Sequence, residues 1–111
     1  MESILTTIKK LLGIAEEYEH FDPDIIVHIN TAFMVLTQLG IGPAEGFTIY
    51  DESALWSDFL EDDPRFEAVK TYIHLKVKLL FDPPVNSAVI ESITKSISEL
   101  EWRLNVAAET M

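Results

Sequence analysis

The sequence predicts a mainly all-α protein, a small bundle of about four to five helices with a short β-like loop or hairpin near residues 40–52. Three observations lead there. Acidic proline turns at Asp22-Pro23, Asp63-Pro64 and Asp82-Pro83-Pro84 divide the chain. An aspartate before proline suits a helix start, because its carboxylate accepts from orphan backbone N–H groups while proline occupies a position that needs no donor. Between the turns, apolar residues recur every three or four positions, the period of one helix face. Finally, 111 residues with 48% hydrophobic content suit one domain spanning 1–111, large enough to bury about two thirds of its unfolded surface.

The first helix is expected from Glu2 to about Leu12, with Ile4, Leu5, Ile8, Leu11 and Leu12 on one stripe and Gly13 as its stop. A helix this short is marginal alone in water, so it must dock on its own domain or on a neighbour. The second takes Asp22 as its cap, Pro23 in the first turn, Asp24 against the dipole and Gly40 at its end. Ile25, Ile26, Ile29, Phe33, Leu36 and Leu39 form its apolar stripe, and His28 and Asn30 lie off the centre of it.

Residues 40–46 are the only glycine-rich stretch, and Phe47, Thr48, Ile49 and Tyr50 alternate as an extended strand or hairpin would. Ser53 is placed as the cap of a short helix from about Ala54 to Leu60, whose Leu55, Trp56 and Phe59 suit a plug over the core. The third long helix starts at Asp63-Pro64 and runs to about Phe81, with Phe66, Val69, Ile73, Val77 and Leu80 inward. The double proline ends it. The last helix starts near Asn86 and carries Ile90, Ile93, Ile97, Leu100, Leu104 and Ala107 at alternating spacings of three and four. Glu91 to Lys95 and Glu99 to Arg103 are favourable i,i+4 pairs. Trp102 falls off the apolar stripe, which points to a second contact surface on this helix.

The net charge of -11 is unevenly spread. Residues 1–63 hold 13 of the 19 acids against Lys9 and Lys10 alone, whereas the remainder is balanced, six against six. Such a field opposes a phosphate backbone, so DNA near this protein should slide past rather than be gripped. A solubilising acidic surface accounts for the same composition. No apolar run reaches the roughly 20 residues of a membrane span, and the opening MESILTTIKKLLG lacks a signal peptide's apolar segment, so a soluble, unprocessed protein is expected. Zero cysteines exclude disulfides and thiolate metal sites.

Signatures of chemistry are missing. The glycine stretch has neither the strand-loop-helix context nor the lysine of a nucleotide loop. His20, His28 and His74 share no ligand spacing, the run Glu61-Asp62-Asp63 reads as solvated charge, and no nucleophile elbow is present. The expectation is a non-enzyme with no metal and no cofactor.

Seven phrases occur in order: Asp22-Pro-Asp-Ile-Ile-Val-His-Ile-Asn30, Leu39-Gly-Ile-Gly-Pro43, Gly46-Phe-Thr-Ile49, Trp56-Ser-Asp-Phe59, Tyr72-Ile-His-Leu-Lys76, Leu80-Phe-Asp-Pro-Pro84 and Glu99-Leu-Glu-Trp-Arg-Leu-Asn105. Together they resemble the head-tail connector, or head-completion adaptor, proteins of tailed bacteriophages and prophages, from about Leu11 to Asn105. The resemblance implies a helical, non-enzymatic virion protein at the head-tail junction, found in the host bacterial cytoplasm during assembly. It implies a homo-oligomeric, dodecamer-like ring that joins portal and capsid to the tail and completes the DNA exit channel. The portal protein would lie above and a stopper or tail-completion protein below, with DNA passing through without specific binding and no membrane involved. Candidate interface residues are Trp102, Arg103, Phe47, Ile49, Tyr50 and Trp56. A small acidic regulator or inhibitor of a host protein is the competing reading from composition, and an enzyme is a distant third.

Overall fold

The computed structural model describes residues 2–61 and 63–109, which form five helices: α1 (Ile4–Leu11), α2 (Asp22–Gln38), α3 (Trp56–Phe59), α4 (Phe66–Phe81) and α5 (Ser87–Glu109). The centre is α4. It packs on α2 along one side and on α5 along the other, while α2 and α5 barely touch; α1 lies across α2 and α4. The body measures 39 × 35 × 20 Å, a slab rather than a sphere. Its core is built from Ile4, Leu5 and Ile8 of α1, Ile25, Ile29, Ala32, Phe33 and Leu36 of α2, and Val69, Tyr72, Ile73 and Val77 of α4, joined by Ile97 and Leu104 of α5.

Helix starts depart from expectation in three places, each because the polar side chain is engaged elsewhere. Asp22 is the first residue of α2 rather than its cap, and Phe21 precedes it without a side-chain cap. The Asp22 carboxylate instead sits 2.9 Å from the buried ammonium of Lys9, which also donates to the carbonyls of Glu16 and Tyr18 at 2.8 Å. Lys9 is only 3% exposed. Three oxygens from the α1–α2 loop and the start of α2 compensate its burial, as a buried charge requires. Ser53 does not cap α3: its backbone N–H and hydroxyl both turn back to Asp51. The α3 start is stabilised from within, Asp58 accepting from the Leu55 N–H at 2.9 Å. Asp63 likewise accepts from the Arg65 backbone at 2.8 Å in a turn that delays α4 to Phe66. The first helix starts at Ile4 rather than Glu2 because Ser3 serves as its cap, accepting from Thr6 N–H, and the last helix starts, as expected, next to Asn86, which accepts from Ala88 and Val89.

The expected strand or hairpin near 47–50 is not formed among the described residues, where an isolated bridge between Ser3 and Leu55 is the one β-type pairing. Asn30 of α2 takes the place of a strand partner. Its Oδ1 accepts from Ile49 N–H at 2.8 Å and its Nδ2 donates to Ile49 C=O at 3.0 Å, satisfying both backbone groups with one amide. Phe47 then packs on Phe33 and Phe59, with ring centroids 5.0 and 5.3 Å away. This aromatic wall fixes the loop closely: a Cβ on Gly42, where φ is +85°, would lie 2.4 Å from a Phe59 ring carbon.

Three apolar positions also move. Leu11 and Leu80 are exposed at helix ends, where the stripe runs past the neighbouring helix. On α5 the buried stripe reaches Ala108 rather than Ala107, because a straight helix of 3.6 residues per turn drifts off a strict heptad. The Ala108 Cβ lies 3.2 Å from where a Cβ on Gly40 would be, so α5 closes against the end of α2 there.

Candidate assembly surfaces

The six residues singled out from the sequence divide between interior and surface. Trp56 is 3% and Ile49 1% exposed, so both belong to the protomer's own core. The Trp56 indole N–H donates to Thr7 Oγ1 at 3.1 Å, which ties α3 to α1, and Ile49 is held by Asn30. Phe47 is half-buried in the aromatic wall. Tyr50, next to the clamped Ile49, stands 83% exposed. Trp102 is 65% exposed on the side of α5 opposite its buried stripe, with Val106 one turn on. Arg103 is exposed and bound to Glu99 within the same helix at 2.9 Å.

What orients α5 is a polar lock on its inner side. The buried Tyr72 hydroxyl donates to Glu101 Oε2 at 2.7 Å, and Lys76 stands 3.9 Å from the same oxygen. Burial first, and the carboxylate second, push the Tyr72 phenol well above its ordinary range, so it remains a donor. With Glu101 turned inward, Trp102 is turned outward.

Sequence reasoning missed a second outward surface, on α2. Val27, Thr31, Met34 and Gln38 follow one another down its solvent side, and Val27 and Met34 are exposed. The signal was present: residues 25–44 contain no Asp, Glu, Lys or Arg in a chain of net charge -11.

A third feature is a groove of about 730 Å³ with Trp56, Leu60, Pro64 and Phe66 among its lining and Glu2, Glu61 and Asp63 at its rim. Its rings meet edge to face at 5.6 Å, and Lys70 lies over Phe66. Hydrogen bonds from Arg65 hold the Asp63 carboxyl below the usual carboxylate range. Asp62, the middle of the acidic run, lies outside the described residues.

Seven of the eight lysines and arginines have a carboxylate within 4 Å, among them Lys70 with Glu2, Lys76 with Glu101 and Lys78 with Asp82. No described helix is long and apolar enough to cross a membrane.

Comparison with known proteins returns a family model described as Phage connector protein, matched over residues 4–111. The chain belongs to the phage connector family. The match covers all five helices, α1 as well as the region that carried the ordered phrases. No curated protein and no solved structure matches significantly. Connector membership makes this a structural component of the phage particle.

Proposed function

We propose that the chain forms a dodecamer-like ring at the head-tail junction, joining the portal to the tail and completing the channel through which DNA leaves. The portal lies on one side of the ring and a stopper or tail-completion protein on the other. The observation that carries this reading is the connector family match over residues 4–111. Two features of the chain support it. Exposed apolar side chains on α2 and α5 offer contact surface to neighbours. The acid excess, with seven of eight bases already neutralised, gives a wall that phosphates do not adhere to.

The test is mass in solution and negative-stain imaging of the protein alone and mixed with its portal. Rings in either condition, absent from a mixture with an unrelated acidic protein of this size, are the expected result. A species that stays monomeric or dimeric in both refutes the ring and favours a small acidic regulator.

A further inference from the structure

Taking the ring reading as its basis, we infer that neighbouring copies join through two different helices, the outward face of α2 on one copy meeting the outward face of α5 on the next. The occupant of each face is a second copy of this chain. The first argument is electrostatic. Copies that each carry a net charge of -11 repel one another, so they can approach closely only where the surface is locally neutral. The α2 face is neutral because residues 25–44 contain no charged side chain. The α5 face is close to neutral for another reason: along its middle the exposed charges pair, Glu91 with Lys95 at 3.5 Å and Glu99 with Arg103 at 2.9 Å, which leaves Glu109 at the helix end.

The second argument is placement. Since α2 and α5 both pack on α4 and barely touch each other, their outward faces form two separate flanks of the body. An ordinary stable interface takes roughly 800 Å² per partner, and a body of 39 × 35 × 20 Å has room for two such patches. Both flanks carry exposed apolar side chains at helical spacing, Val27 and Met34 on α2, Trp102 and Val106 on α5. Exposed tryptophan suits the anchoring role, as large aromatics dominate interface energetics. Thr31 adds no unsatisfied donor, because its hydroxyl is bound to the Val27 carbonyl at 3.0 Å. Two different patches on one chain make a heterologous contact, which repeats from copy to copy and closes when the rotation allows.

The absence of cysteine makes the contact directly measurable. Met34→Cys and Trp102→Cys chains are prepared separately, mixed and oxidised. The expected product is a disulfide between the two different variants, at least tenfold over either self-pair. Self-pairs dominating, or no pairing above a Lys10→Cys control, overturns the contact. A second arm introduces charge. Met34→Glu and Trp102→Glu each abolish assembly while leaving the helical circular dichroism and melting of the protomer unchanged, and Met34→Lys combined with Trp102→Glu restores it. Rings that persist in both glutamate variants overturn this contact and leave the ring standing. A heterologous disulfide in a protein that never forms rings, even with portal, leaves the contact standing and overturns the ring.

Discussion

Gly42 and Gly13 have nearly the same backbone conformation, with φ of +85° and +81°, but very different surroundings. At Gly13 a Cβ would meet nothing within 4 Å; at Gly42 it would lie 2.4 Å and 2.7 Å from two carbons of the Phe59 ring. Moving that ring disturbs a three-ring cluster, because its centroid lies 4.6 Å from that of Phe33 and 5.3 Å from that of Phe47. Gly13→Ala should therefore cost only left-handed backbone strain, about 1–2 kcal/mol. Gly42→Ala adds overpacking of about 1–3 kcal/mol, for a total of about 2–5. With a urea slope of about 2 kcal/mol/M, the midpoint should fall by about 0.5–1 M for the first variant and about 1–2.5 M for the second. In a Phe59→Leu background the extra cost at Gly42 should shrink, since the two positions are coupled by contact. Equal midpoints for the two alanine variants would refute the steric account.

Asn30→Leu should lower stability by about 2–6 kcal/mol, because it strands the N–H and C=O of Ile49 at about 1–3 kcal/mol each; a urea midpoint within about 0.2 M of the parent would show that the clamp is dispensable. Tyr72→Phe should cost about 1.5 kcal/mol through its lost bond to the Glu101 carboxylate, and Glu101→Gln, which retains an acceptor, should cost less. Burial and then Lys78 lower the His74 pKa, so the unfolded chain binds the proton more readily. Thermal stability should therefore be unaffected by His74 above about pH 6.5 and decline as pH falls below it, and His74→Gln should flatten the pH 5–7 portion of the curve; an unchanged slope in that variant assigns the effect elsewhere.

Features with local causes were legible in the sequence. The stripes of α2, α4 and α5, the Ser87–Glu109 helix behind Asn86, and the stop at Gly13 rest on residues within one or two turns of each other. The misreadings involve partners far apart in the chain. Asp22 looks like a cap until Lys9, thirteen positions earlier, claims it. Phe47 to Tyr50 looks like a strand until Asn30, nineteen positions earlier, supplies both hydrogen bonds that a second strand would give. Trp56 suits both a plug over the core and an interface until its burial, and the bond from its indole N–H to Thr7 forty-nine positions away, place it in the core. The outward position of Trp102 was readable because it follows from the α5 stripe alone, whereas the neutral face of α2 required noticing which residue types were missing.

The lysine at position 9 ties α1, the loop after it and the start of α2 together through three oxygens. Its ammonium is enclosed by the loop it holds, while the adjacent Lys10 is open to solvent. An amine reagent meets Lys10 at once but reaches Lys9 only when residues 13–21 lift away, so acylation at the two neighbours proceeds on different clocks. The ratio of their rates measures how often that segment opens, with the faster residue as an internal standard in the same molecule. Because Lys9 is paired with Asp22 at the start of α2, slowing of the Lys9 clock on assembly would report ordering passed along that helix into the loop it holds.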